Sequence, residues 1–396
     1  MHEIRTLVKE EFYESTILSE FAFQYELSVE EREERLEGSH NNQLLGYFID
    51  GSLAAKLIII PLSTWLNGRK FAMGGIAGVA TWPEYRRNGM VGQLLGETLR
   101  MMKEAGQTVS FLHPFKFEFY RKYGWETYVD YLKYEIPVEK LPRFQAPEGS
   151  SVRRVEKNWE LLNPLYEVHA QRYNGMLVRD EKWWNQRCFK FKKGITAMYR
   201  DAQGEPKGYV FYQVKERVMT IHELVFLDEE ARRGLWKFLA DHDSMINKVE
   251  LNAPADDALA FLVPDPRFKQ EVVPYFSARI VDVEAFVNAY PFAARAGAES
   301  IYLKVSDSHA KWNQGVFRLD FNGSGESAHA VKMAEEEVPI TASVVSCSIQ
   351  ALSALLIGYQ KAGFLARIER LQGSPEEIAR LEAAIPERVT YLADFF

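Results

Sequence analysis

Cysteine is nearly absent from this chain. Its 396 residues include two, Cys188 and Cys347, far apart. That excludes a disulfide framework and supplies no zinc spacing, so no metal is expected. A surplus of positive charge is missing as well. The net charge is -7 and the pI about 5.8. Nucleic-acid binding needs a basic footprint, so that partner class is not expected. Long apolar runs are missing too. The longest, Leu57 to Leu62, follows Lys56 and contains Pro61, too short for a bilayer. The opening MHEIRTLVKEEFYES is acidic and lacks a signal-peptide core. The expectation is a cytoplasmic protein with no membrane partner.

What is present is enough for two or three domains with sizeable cores: 47% hydrophobic and 13% aromatic residues. The chain is organised around residues 71–99, FAMGGIAGVATWPEYRRNGMVGQLLGETL. Phe71 to Ala80 is small, apolar and uncharged, as a buried strand requires. Pro83 ends it. Arg86, Arg87, Asn88 and Gly89 form a turn. From Met90, apolar residues at Met90, Val91, Leu94, Leu95, Leu99 and Met102 fall at helical spacing. The first N–H groups of a helix lack intrahelical partners, and the dipole there favours an anion. Gly89 lets backbone approach a ligand closely, and the arginines suit phosphate oxygens. A pyrophosphate fits such a turn.

Residues 1–40 read as helical and strongly acidic. Their glutamates form either a wall for a cationic amine or solvated helix faces, the second being favoured. Phe12, Phe21, Phe23 and Tyr25 read as core or pocket lining. Leu44 to Ile49 and Leu53 to Pro61 form a hairpin turning at Gly51. Thr108 to Leu112 is a short strand ended by His113 and Pro114. A short helix then ends at Gly124, and a strand follows from Tyr128 to Ile136. Tyr120 is protonated at neutral pH and can donate to a departing thiolate; a core aromatic with a backbone-bonded hydroxyl is the alternative. His113 is a candidate base or a structural residue.

Residues 138–156 read as a linker. Helix Leu161 to Tyr173 and strands Tyr209 to Lys215 and Met219 to Phe226 follow. Ile221 to Ala240 echoes Gly74 to Leu95, with Arg232, Arg233 and Gly234 mirroring Arg86, Arg87 and Gly89. Bulky Trp236 would crowd a phosphate there, so this copy reads as degenerate and structural. Ala278 to Ala289 begins a third unit. It continues with a hairpin turning at Asn322-Gly323 and with helices over 343–359 and 374–383.

The strand, the Arg-x-x-Gly turn and the apolar helix resemble the acetyl-coenzyme A signature of the GNAT acyltransferases. Val91 stands where that pattern has a second small residue, and Gly92 comes one position late. Phe119, Tyr120, Tyr123, Gly124 and Trp125 are similar to the segment that follows the fifth GNAT strand. ARIVDVEAF and KWNQGVFRLDF resemble a sterol carrier protein fold. The tripartite order resembles the enhanced intracellular survival (Eis) family of acetyltransferases. The implied fold class is α/β (α+β). It comprises a GNAT domain at 1–150, a degenerate GNAT-like domain at 151–283 and a sterol carrier protein-like α+β domain at 284–396. The resemblance implies acetyl-CoA as co-substrate, aminoglycosides or similar small polyamines as acceptors, acetylation at several positions, and a homohexamer. It implies that Ile76, Gly78, Val79, Arg86, Arg87, Asn88, Gly89, Met90, Val91 and Gly92 hold the coenzyme, with Tyr120 as general acid. It also implies that the carboxylate of Phe396 is the base. An α-carboxylate is a feeble base in water, with a pKa of about 3.5, and burial beside Phe395 and Phe396 would raise it. The alternatives are a protein or peptide lysine acetyltransferase and, in another class, a lipid-binding or carrier protein.

Overall fold

The computed structural model describes residues 2–38, 43–293, 300–321 and 327–396. Three sheets organise them. The first has the order His2–Thr6, Gln43–Ile49, Ser52–Leu66, Arg69–Thr81, Val109–Leu112, Ser277–Ile280, Glu126–Thr127. Only the Arg69–Thr81 and Val109–Leu112 pair is parallel. The second runs Lys269–Pro274, Asp130–Pro137, Lys248–Ala253, Val218–Phe226, Pro206–Lys215, Ile195–Arg200, Ser151–Val155. The third runs Ala328–Met333, Gly315–Phe321, Ile301–Ser306, Val344–Ser348, Leu371–Gln372.

Several elements depart from the expectations above. His2–Thr6 is a strand, because HEIRT pairs along the edge of Gln43–Ile49. Ser151–Val155, within the expected linker, is the edge strand of the second sheet. Val344–Ser348 is a strand parallel to Ile301–Ser306, and the helix starts only at Ile349, where the Ser348 hydroxyl accepts from Ala351 N–H. Two strands also exchange places. Asp130–Pro137 leaves the first unit and pairs with Lys248–Ala253 in the second sheet. Ser277–Ile280 comes back to pair with Val109–Leu112 in the first. The hairpin turn at Asn322-Gly323 lies outside the described residues.

This exchange fuses the units through one core. A single apolar cluster contains Phe111 of the first sheet, Phe211 and Val225 of the second, Leu303 and Leu352 of the third unit, and Phe396. A separate cluster lies on the other face of the first sheet. There Ile76 and Leu112 pack against Leu94, Leu95, Leu99 and Met102 of helix Met90–Glu104. Alternation along the strand explains the division. A Cβ on Gly74 would strike Met102 of that helix, whereas one on Gly75 would strike Phe396 at 2.7 Å. The first sheet thus separates the helix from the end of the described chain.

Candidate active site

The site begins where two parallel strands part. Arg69–Thr81 pairs with Val109–Leu112 from Met73↔Val109 to Ile76↔Leu112. It then runs on to Thr81 against Ser52–Leu66 alone, with a register shift between Lys56 and Ile58. Gly78 sits opposite that shift with φ +57°, a conformation that favours glycine. The far edge of Ala77–Ala80 therefore has no strand partner. Its half-buried backbone at Ala77, Gly78 and Val79 is free to meet a ligand. The opening is the gap between the parting strands.

On one face stands the helix Met90–Glu104. Its N-cap, Gly89, has φ +74° and no side-chain cap, and no acidic residue lies in the first turn. A Cβ on Gly89 would meet nothing within 4 Å, so the approach to the helix end is open. Arg87 adopts φ +67°, which costs a non-glycine residue roughly 1–2 kcal/mol. Arg86, Arg87 and Asn88 are exposed around this end, and Arg86 Nε donates to the Thr81 carbonyl at 3.4 Å. An uncapped helix end ringed by arginines fits a pyrophosphate. Not every expected residue faces it with its side chain. Ile76 and Met90 are buried in the core, so only their backbone is available. Gly92 is closely packed, since a Cβ there would lie 2.6 Å from the Tyr123 hydroxyl and the ring would have to shift.

Tyr120 belongs to the same face. The short helix Phe117–Arg121 buries its ring among Phe115 and Phe119, in the cluster that holds Leu94 and Ile76. Burial pushes its phenol above the ordinary value, so it stays protonated at physiological pH. The opposite face carries the other candidates. His113, just past Val109–Leu112, lies edge-on to Tyr275, Phe276 and Phe395, the last at 5.1 Å. Desolvation among these rings lowers its pKa, so the imidazole is neutral near pH 7. Phe396 is buried against Phe276, at 4.9 Å between ring centres, and Trp183.

The cysteines are not nucleophiles. Both are buried, and burial pushes each thiol up to about 12. Among the described residues no group of three or more His, Cys, Asp or Glu is placed to hold a metal. No described helix is long and apolar enough to cross a membrane. The acidic N-terminal segment is largely solvated. Glu11 pairs with Arg5 at 2.6 Å and Glu20 with Arg32 at 3.0 Å, while Glu10, Glu14, Glu30 and Glu31 are exposed. Of its aromatics, Phe21 and Phe23 are half-exposed, and Phe21 packs at a tilt against Trp82, 5.1 Å between ring centres.

The copy in the second domain is closed by chemistry that differs from the expected obstruction. Trp236 is buried in its own core and blocks nothing. Helix Glu229–Ala240 instead takes Asp228 as its cap, accepting from Ala231 N–H at 2.8 Å, with Glu229 and Glu230 in the first turn. Three carboxylates thus occupy the end where an anion would sit. Arg232 and Arg233 lie inside the helix rather than in a preceding turn.

Comparison with known proteins bears on the fold and its class. Acetyltransferase (GNAT) domain families match residues 3–128 and 175–280, and a sterol carrier protein domain family matches 283–393. A solved structure from Enterococcus faecalis, described as a "Probable N-Acyltransferase", superposes over the whole of both chains with TM-score 0.91 and 28% identity. The fold and its two domain copies define a GNAT N-acetyltransferase. N-acetyltransferase Eis of Mycobacterium tuberculosis is 27% identical over 334 residues, 80% of this chain and 78% of the relative. The fold of Eis1 from Mycobacterium abscessus covers both chains fully, with TM-score 0.80 and 21% identity. Within the GNAT class, the chain is a homologue of the Eis N-acetyltransferases, with tandem GNAT domains followed by a sterol carrier protein-like domain.

Sequence reasoning missed the contacts that fix the chain end. Arg179, Glu223 and Asp394 are fully or nearly fully buried and joined. The only local signal was a charge, Asp394, among the apolar residues of YLADFF.

Proposed function

We propose that this enzyme transfers acetyl from acetyl-CoA directly to amines of aminoglycosides or similar small polyamines, at more than one position. GNAT enzymes use acetyl-CoA. Here the backbone at Gly78 and Val79, the turn Arg86–Gly89 and the first amides of the helix, at Met90, Val91 and Gly92, would hold it. Bound there, it supplies the acetyl thioester. The observation that supports direct transfer is the placement of Tyr120 and Phe396 on opposite faces of one opening. The carboxylate of Phe396 takes the proton of the acceptor ammonium. Amides of the unpaired strand edge polarise the carbonyl. The new C–N bond forms as the C–S bond breaks, and Tyr120 gives its proton to the sulfur. His113 is a second candidate for the base, favoured by its neutral imidazole against Phe395.

The wider reading is a cytoplasmic homohexamer acting on small cationic amines, supported by likeness to the Eis family. The domain limits 1–150, 151–283 and 284–396 are proposed as units of sequence, with the two exchanged strands crossing them. Thiol release from acetyl-CoA against aminoglycosides, polyamines and lysine peptides, with product masses, tests the substrate class. More than one acetyl per aminoglycoside is the expected result. Activity on peptides alone would replace this reading with a protein acetyltransferase. No turnover, with lipid bound in the third unit, would replace it with a carrier.

A further inference from the structure

The second domain carries buried charge that the reaction does not consume. The Arg179 guanidinium lies between two carboxylates. Its Nη1 and Nη2 donate to Glu223 at 3.0 and 2.6 Å, and its Nε donates to Asp394 at 3.1 Å. The guanidinium also stacks on Tyr166, 3.7 Å from the ring centre. Glu223 accepts further from the Tyr209 hydroxyl at 2.6 Å and from Lys192. Burial alone would raise the Glu223 pKa, but Arg179 and Lys192 outweigh it and keep the carboxylate ionised. Asp394 accepts from Trp183 Nε1 at 3.0 Å and from the Tyr166 hydroxyl at 3.4 Å.

Such a cluster is a poor device for stability alone, because desolvation offsets most of the Coulomb gain. It is a good device for fixing position. The next links continue the restraint. The Tyr275 hydroxyl donates to the Asp394 carbonyl at 3.0 Å, and Arg187 Nη2 donates to the Phe395 carbonyl at 3.0 Å. The Phe396 ring then wedges against Gly75, beside the point where the strands part. Three successive residues are thereby held on the face opposite Tyr120.

We infer that the Arg179–Asp394–Glu223 network is a positioning device through which the second domain, closed to coenzyme at its own helix, sets Phe396 on the acceptor side of the first domain's opening. This rests on the role given to Phe396 above. Asp394, Arg179 and Tyr275 are positioning residues that act through Phe396.

Asp394→Asn in the full chain tests it, since the amide keeps the shape and an acceptor for Trp183 but removes the charge facing Arg179. The expected result is a kcat lower by about tenfold or more, the scale of a lost alignment, with acetyl-CoA affinity unchanged by calorimetry. The same substitution in a chain lacking Phe396 should cost almost nothing further, because the device then has nothing to position. An equal loss in both backgrounds would make the network merely structural and overturn the inference. Wild-type turnover by Asp394→Asn, with the Phe396-deleted chain impaired, would overturn the inference and leave the role of Phe396 standing. Wild-type turnover by the Phe396-deleted chain would overturn that role and the inference with it. Should Asp394→Asn fail to fold, Tyr275→Phe removes one hydrogen bond to the same segment. It should lower kcat a few-fold, again only while Phe396 is present.

Discussion

At the residue scale, burial decides which groups can move protons. Tyr120 is enclosed by Phe115, Phe119 and the helix core, and its phenol is held neutral. It can give a proton to a thiolate but cannot serve as base. Tyr120→Phe should therefore lower kcat about 10²-fold, the range of a lost general acid. Acetyl-CoA affinity, read by calorimetry, should hold. Burial also writes a pH dependence into stability. Desolvation, with Arg172 nearby, lowers the pKa of His169 to about 4, against about 6.5 in an unfolded chain. Between those values the unfolded state binds more protons than the folded one, so stability rises with pH. The contribution is intact above about pH 6.5 and falls away toward pH 4, by on the order of 3 kcal/mol. His169→Gln should flatten the slope of unfolding free energy over that window in denaturant melts. An unchanged slope would assign it to other groups.

At the element scale, the two helices that follow splayed strands differ by their caps. One has Gly89 and no acid in its first turn; the other has Asp228, Glu229 and Glu230. Val91 occupies the place of Glu230, second in its helix. Val91→Glu should thus weaken acetyl-CoA binding about tenfold through charge at the helix end and leave the melting temperature nearly unchanged. Calorimetric titration beside a thermal melt checks it. The elements also show what local sequence carries. The strand, turn and helix at 69–104 were legible because apolar period, Pro83 and Gly89 all act within a few residues. The strand at 2–6 was not, since its partner lies about Gln43–Ile49 and its own pattern is polar. The exchange of Asp130–Pro137 and Ser277–Ile280 was invisible for the same reason. Both pairings join residues far apart in the chain, and nothing in either segment names its partner. Arg232 and Arg233 misled because a repeated motif keeps its letters after its register with the turn is lost.

At the scale of the whole molecule, the chemistry is shared by parts that sequence separates. The coenzyme end and Tyr120 belong to the first sheet and its helix. On the opposite face Phe276, Trp183 and Phe396, drawn from across the chain, pack together. One apolar cluster runs through all three units, and in the proposed mechanism the second and third domains contribute the face opposite Tyr120. The most direct measurement is acetyl-CoA turnover by the chain with Phe396 deleted, set beside its calorimetric affinity for acetyl-CoA. The expected result is turnover lower by about 10²-fold or more with affinity unchanged. Unchanged turnover, or loss of affinity and turnover together, would contradict the division of labour between the two faces.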